Sequence, residues 1–402
     1  MDFKTISQLD LKGKTVLLRA DLNVPVNQDM SVTDTTRIDR LKPTISALNE
    51  KGAKTVILAH FGRPKGTSNK DYSLSFLPKT LTKRCGVDVA FSPDCIGDTA
   101  KNVIESAPEG SFILLENLRF YAGEEQNDLE FSKALAELGD VYINDAFSAA
   151  HRAHSSTEGI AHHLPTAAGL LMESELSALN NALENPEKPV TAIVGGAKVS
   201  TKLSVLNNLV QKVDALFLGG GMANTFLYAK GYDVGQSLCE KDMADQALKI
   251  MQTAKENDCE ILLPQHRVIV SKLEPNAEHE ICGEKEMPED KLAVDAAPQS
   301  IEKLKEVLGS SKTVLWNGPL GVFEMKPFDE GTNMTAAAVA KLTKSGQLIS
   351  VAGGGDTIAA LENAGCADDF TYISTAGGAF LEWLEGKTLP GVAALKAYKD
   401  AA

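Results

Sequence analysis

Short apolar runs alternate with amphipathic stretches along the whole chain, the pattern of strand–helix–strand units in a parallel sheet. In the first half the expected strands are Lys14–Arg19 (KTVLLR), Lys54–His60 (KTVILAH), Ser111–Glu116 (SFILLE) and Val141–Asn144 (VYIN). In the second half they are Val190–Val194, Ala215–Leu218, Glu260–Leu263, Thr313–Trp316 and Leu348–Ala352. Helices are expected between them, among them Thr36–Lys51, Asp128–Leu138 and Ser300–Leu308. Met172–Pro186 (MESELSALNNALENP) reads as one amphipathic helix closed by Asn-Pro. As the only connection between two sets of strands, it is expected to be an interdomain helix. The fold class is α/β.

Composition supports this reading. A chain of 402 residues with 43% hydrophobic and 23% charged content is globular and long enough for more than one core. No segment approaches the roughly 20 apolar residues of a membrane-spanning helix. The first residues, MDFKTISQLDLKGK, lack the apolar stretch of a signal peptide, so the cytoplasm is the expected location. Six cysteines are scattered without a C-x-x-C pair, which argues against a disulfide frame or a zinc site. A formal net charge of −14 argues against non-specific nucleic-acid binding but leaves room for a local basic site.

Ligands of open parallel sheets sit beyond the carboxyl ends of the strands, so the residues there carry the chemistry. In the first half they are polar and basic: Arg19-x-Asp21-x-Asn23, His60-x-x-Arg63, Glu116-Asn117-x-Arg119, and Asn144-Asp145 followed by His151-Arg152. Arg37 opens the next helix. Any one of these arginines alone reads as a surface or salt-bridge residue. As a set after successive strands, they read as an anion site, because guanidinium forks bind phosphate and carboxylate bidentately. His151-x-x-His154 with His162 and His163 lacks a partner of metal-ligand spacing, so the anion reading is preferred.

In the second half the strand ends are glycines: Gly195-Gly196, Gly219-Gly220-Gly221, Asn317-Gly318-Pro319 and Gly353-Gly354-Gly355. Gly195–Lys202 (GGAKVSTK) is expected to open a helix whose N-terminus and bare backbone cradle a phosphate. Lys198 and Lys202, four apart, would then share one helix face. Gly353-Gly354-Gly355-Asp356-Thr357 repeats the arrangement, with Asp356 suited to a phosphate-bound Mg²⁺. Glu324, at the end of Asn317–Glu324, could hold ribose hydroxyls. Gly386-Lys387-Thr388 lacks the first glycine of a Walker A loop, and no G-x-G-x-x-G fingerprint occurs. That absence weighs against a nicotinamide-dependent dehydrogenase. A non-enzymatic two-lobed binding protein is the other competing class, and such proteins are typically exported.

LLRADLNVP (Leu17–Pro25) resembles the signature of the phosphoglycerate kinase family. The resemblance continues through HFGRP, LLENLRF, NDAFSAAHRAHSS, GGAKVSTK, GGGMANTF, WNGPLGVFE and GGGDT, in order across nearly the full length. It implies two Rossmann-like domains facing a cleft, over 1–171 and 187–386, joined by the helix 172–186, with a tail 387–402 returning to the first. It implies a monomer that transfers a phosphoryl group reversibly from 1,3-bisphosphoglycerate to ADP with Mg²⁺ when the domains close. Carried over by motif, Asp21, Asn23, Arg37, His60, Arg63, Arg119 and Arg152 would bind the three-carbon substrate. Lys198, Lys202, Glu324, Gly353, Gly354, Gly355, Asp356 and Thr357 would bind nucleotide and metal, with Arg37 and Lys198 facing the phosphoryl group in flight. Five positions depart from the family pattern. Thr201 stands for a frequent Asp, Ser148 for a frequent Gly, Ala376 for a Gly, and Gln265-His266 for Val-Asp. Ala376 would be strained if its backbone needed a positive φ.

Overall fold

A computed structural model describes residues 3–397, which divide into two compact units. One holds the chain up to Leu176 and again from Thr388; the other runs Ser177–Lys387.

The first unit is built on a six-stranded parallel sheet in the order β3-β4-β2-β1-β5-β6. Its strands are β1 (Thr15–Arg19), β2 (Lys54–Leu58), β3 (Val89–Ser92), β4 (Phe112–Leu115), β5 (Val141–Asn144) and β6 (Thr166–Ala168). The central strands read as unbroken apolar runs because helices cover both faces. Leu18, Ile57, Leu114 and Ile143 enter one core, while Leu17, Val56, Ile113 and Tyr142 enter the core on the opposite face. The helix Pro390–Ala397 packs against β6 in this unit, with the Gly391 N–H donating to Ala150 O at 2.9 Å. The rest of the expected tail, 398–402, lies outside the described residues.

The second unit repeats the plan in the order β15-β14-β13-β7-β8-β9. These are β7 (Val190–Val194), β8 (Ala215–Leu218), β9 (Glu260–Leu262), β13 (Thr313–Asn317), β14 (Ile349–Gly353) and β15 (Tyr372–Ser374). Ile193, Phe217, Val314 and Trp316 share one core. A separate antiparallel sheet of β10 (Arg267–Val270), β11 (His279–Cys282) and β12 (Leu292–Ala296) was not expected from the sequence. Neither were the edge strands β3, β6 and β15.

The linking helix, expected over 172–186, has the predicted length but lies two residues earlier in the chain. It is α-helical over Leu170–Leu179 and then widens into a π turn, Asn180–Glu184. The division between the units falls inside it, after Leu176.

Both large sheets start from an interior strand. The chain fills one side from β1 or β7, then returns to the other side at β5 or β13. In such sheets ligands bind outside the carboxyl ends of the strands, at the reversal. The reversal lies between β1 and β5 in the first sheet and between β7 and β13 in the second.

Leu18 is fully buried in β1. Leu18→Ala should therefore destabilise the first unit by about 2–5 kcal/mol, the range for truncating a packed core leucine. Urea unfolding followed by circular dichroism checks this.

Candidate active site

At the first reversal, Asp21 and Asn23 follow β1, and Ser148 with Arg152 follows the adjacent β5. Asp21 Oδ2 accepts from both Arg37 Nη1 and Ser148 Oγ. Asn23 Oδ1 accepts from the Gly62 N–H at 3.0 Å, and Gly62 O accepts from Arg119 Nη1 at 2.7 Å. Hydrogen bonds thus join loops after β1, β2, β4 and β5 into one sheet edge.

Beneath that edge lies a buried charge network centred on Arg19, the last residue of β1. Its Nε donates to Ser156 Oγ at 2.8 Å and its Nη2 to His60 Nδ1 at 2.9 Å. Ser156 in turn donates to the buried Glu124 through its N–H (3.0 Å) and its hydroxyl (2.6 Å). A guanidinium has no acceptor, so His60 Nδ1 must accept and Nε2 carries the proton. Burial, and then the charges of Arg19, Arg119 and Arg152, hold the His60 pKa well below its usual value. Burial and the same three arginines push His154 down to about 4. Burial first, and then the positive field of the arginines, keeps both imidazoles neutral, and that field suits an anion.

Arg119 is buried, with its Nε 3.3 Å from Glu125 Oε1. Arg152 Nε lies 3.2 Å from His151 Nε2. Arg63 is exposed, and no hydrogen bond among the described residues ties it to the cluster.

At the second reversal the loops after β7 and β13 approach so closely that side chains are excluded. A Cβ on Gly195 would lie 1.8 Å from Pro319 O, and Gly318, at φ 101°, packs back against Gly195 O. Lys202 Nζ bridges the two loops, donating to Gly195 O at 2.7 Å and Asn317 O at 3.1 Å. Burial lowers its pKa to about 8, opposed by the charge of Asp356. Asn317 Nδ2 donates to Gly353 O at 2.7 Å, which adds the loop after β14.

One sequence expectation needs correction. The helix after β7 begins only at Leu203, so Lys198 and Lys202 lie in the preceding turn and share no helix face. Lys198 is exposed, whereas Lys202 turns inward. The second glycine turn does open a helix directly, Gly355–Asn363, capped by Gly354 at φ 100°. Its first intrahelical bond runs from the Ile358 N–H to Gly354 O, leaving the N–H groups of Gly355, Asp356 and Thr357 at the open end. The Thr357 hydroxyl is already engaged, accepting from the Gly318 N–H (2.7 Å) and donating to Gly353 O (2.9 Å). Only its backbone can face a ligand.

Beside these turns lies a cavity of about 260 Å³. Leu238, Val294, Leu320 and Val322 supply apolar walls, and the carboxylate residues Glu324 and Asp356 also line it. Asp295 lies in its wall, pushed up to about 8 by burial, and accepts from the N–H groups of Ala296 (2.8 Å) and Gly331 (2.7 Å).

A family model described as phosphoglycerate kinase matches residues 6–387. The phosphoglycerate kinase of Rhodospirillum centenum is 57% identical over 397 residues, covering 99% of this chain and 100% of that one. That of Sinorhizobium medicae is 56% identical, covering 98% and 99%. The structure of phosphoglycerate kinase from Coxiella burnetii superposes with a TM-score of 0.93 at 41% identity, covering 98% and 99%. The Pyrococcus horikoshii enzyme gives 0.76 at 30% identity over the same shares. The chain belongs to the phosphoglycerate kinase family.

Membership makes it a phosphotransferase with a carboxyl group as acceptor. The departures from the family pattern can now be located. Ser148 is part of the Asp21 hydrogen bonding. Thr201 closes its own turn, donating to Lys198 O at 2.9 Å. Ala376 does not have a positive φ; the left-handed residue of that loop is Gly377, at 48°, so the anticipated strain is absent. Gln265 and His266 line a second, polar cavity of about 330 Å³ that includes none of the expected site residues.

Several residues of the site escaped sequence reasoning. Glu124 sits in a run of charged residues, and its contact with Ser156 spans 32 positions. Leu238 and Asp295 come from segments without a motif. Asp356 fits a metal held jointly with a nucleotide, because Mg²⁺ in such sites takes one or two carboxylates plus substrate phosphates. Among the described residues no group of three metal-ligating side chains occurs, and that arrangement needs none.

His60 and His154 bind protons more weakly folded than unfolded, so stability rises with pH between the folded and unfolded values. The contribution of these two histidines to the unfolding free energy should hold above about pH 6.5 and fall as pH drops toward about 4. His154→Gln should make that decline shallower, measurable by urea titration at a series of pH values.

Proposed function

We propose a division of labour for the phosphoglycerate kinase reaction, the reversible transfer of a phosphoryl group from 1,3-bisphosphoglycerate to ADP that yields 3-phosphoglycerate and ATP. Asp21, Asn23, Arg37, His60, Arg63, Arg119 and Arg152 bind the three-carbon substrate. Lys198, Lys202, Glu324, Gly353, Gly354, Gly355, Asp356 and Thr357 bind the nucleotide. The observation that carries this reading is the pairing of two strand reversals with opposite chemistry. One is edged with arginines around a neutral histidine; the other is edged with glycine turns bridged by Lys202.

The chemistry asks for positioning and charge neutralisation rather than proton transfer. A carboxyl acceptor, with a pKa of about 4, is already ionised near neutral pH, so no general base is required. His60, protonated at Nε2, offers a neutral donor beside the arginines. Arg37 and Lys198 stabilise the phosphoryl group as it passes. Lys202, with its pKa near 8, keeps its proton at neutral pH and exchanges carbonyl partners for phosphate oxygens. The open N–H groups of Gly355, Asp356 and Thr357 accept a phosphate at a helix N-terminus. Asp356 would hold Mg²⁺ with the nucleotide phosphates, and that ion supplies charge neutralisation. Apolar walls of the adjacent cavity flank the base, and Glu324 faces the ribose.

Neither half-site suffices alone, so turnover requires both ligands to be brought into line with water excluded. The enzyme acts in the cytoplasm as a monomer on small-molecule substrates, without nucleic-acid or membrane partners. The acidic charge balance supports the absence of nucleic-acid partners.

A coupled assay for ATP formation from 1,3-bisphosphoglycerate and ADP tests the reaction. Arg37→Ala should lower kcat roughly a hundredfold or more, the scale of losing one transition-state charge partner, with little change in the KM for nucleotide. Near wild-type turnover would remove Arg37 from its role. Asp356→Ala should weaken Mg-nucleotide binding while leaving the Kd for 3-phosphoglycerate unchanged, both read by calorimetry. Equal loss of the two affinities would contradict separate sites.

A further inference from the structure

We infer that Ser148 is a positioning residue for the phosphoryl-transfer site, acting through Asp21 on Arg37. The inference rests on the proposed roles of Asp21 and Arg37. Ser148 lies in the short turn Phe147–Ala149 after β5, across the strand reversal from Asp21, two residues past β1. Its hydroxyl and Arg37 Nη1 donate to the same oxygen, Asp21 Oδ2. The other oxygen, Oδ1, accepts from the Asn23 N–H at 3.3 Å. The two members of the ion pair differ in exposure. The Asp21 side chain is 11% exposed, while that of Arg37 is 38% exposed.

These facts set up an exchange. An anion arriving at the site competes with Asp21 for Arg37. If the guanidinium leaves, a carboxylate oxygen loses a charge-assisted hydrogen bond, and in a mostly buried setting that loss is costly. Ser148 remains on Oδ2 after the guanidinium has gone. Its hydroxyl keeps the carboxylate satisfied and in place, so Arg37 moves to the anion at lower cost.

The test uses the full-length protein with 3-phosphoglycerate and Mg-ATP. Ser148→Ala should lower kcat/KM for 3-phosphoglycerate about tenfold, the lower end for a hydrogen bond to a charged group. The KM for Mg-ATP should stay within about twofold. Ser148→Thr, which keeps the hydroxyl, should recover most of the loss. In an Asp21→Asn background, Ser148→Ala should change kcat/KM by less than about twofold, because the coupling runs through the carboxylate. Thermal unfolding of each variant separates misfolding from a positioning effect, and Ser148→Gly serves as the second truncation. Wild-type kcat/KM in a folded Ser148→Ala or Ser148→Gly variant overturns the inference. So does a full-size loss in the Asp21→Asn background, or failure of folded Ser148→Thr to recover activity. Arg37→Ala, measured alongside, separates the two levels. If it retains turnover, the underlying site reading fails; if it collapses while Ser148→Ala is silent, only the inference about Ser148 fails.

Discussion

A parallel sheet that begins at an interior strand must reverse its direction of growth once, and the loops that leave the strands at that reversal frame its ligand site. Both large sheets of this chain obey that constraint, at β1/β5 and at β7/β13. The site chemistry follows from which residues occupy the two gaps. In the first, loops from four strands converge on Gly62, Asp21 and His60. In the second, backbone meets backbone so closely at Gly195 and Pro319 that only a long side chain, Lys202, reaches in. The fold supplies the openings, and residue type decides which ligand each can hold.

The first gap illustrates how a protein keeps several cations close together without neutralising all of them. Arg19 is compensated from below by Glu124 through Ser156, and by acceptance at His60 Nδ1. Arg119 reaches Glu125, and Arg37 reaches Asp21. The histidines, which could add charge, are held neutral by burial and by the arginines themselves. Positive potential therefore survives at the sheet edge while the interior beneath it is hydrogen-bonded. A neutral His60 also keeps Nδ1 as an acceptor for Arg19, which a protonated ring with two donors could not.

Much of this was legible in the amino-acid order. The nine apolar runs became strands because fully buried parallel strands need no polar face, and their ends marked the loops that carry chemistry. The legible part stopped where the pattern was too short or too polar. Thr166–Ala168 and Tyr372–Ser374 are three residues each, and β10 and β11 carry Arg267, His279 and Glu280 among their apolar residues. Lys198 and Lys202 were grouped on the assumption that a helix follows the glycines at once; the turn runs on to Lys202 instead. Glu124 and Asp295 carry no local signal, because their surroundings come from distant parts of the chain. Strand order was not legible at all, so the basic cluster could be assigned to a sheet edge but not to its reversal.

The helix Pro390–Ala397 completes the first unit, although every residue of the second unit precedes it in the chain. A ribosome therefore releases the second unit's whole sequence before it releases the segment that packs on β6 and meets Ala150. Until then Ala150, in the loop that carries Ser148 and Arg152, lacks the backbone partner that Gly391 provides. The order of synthesis thus withholds one contact of the loop after β5 until the whole second unit has been made.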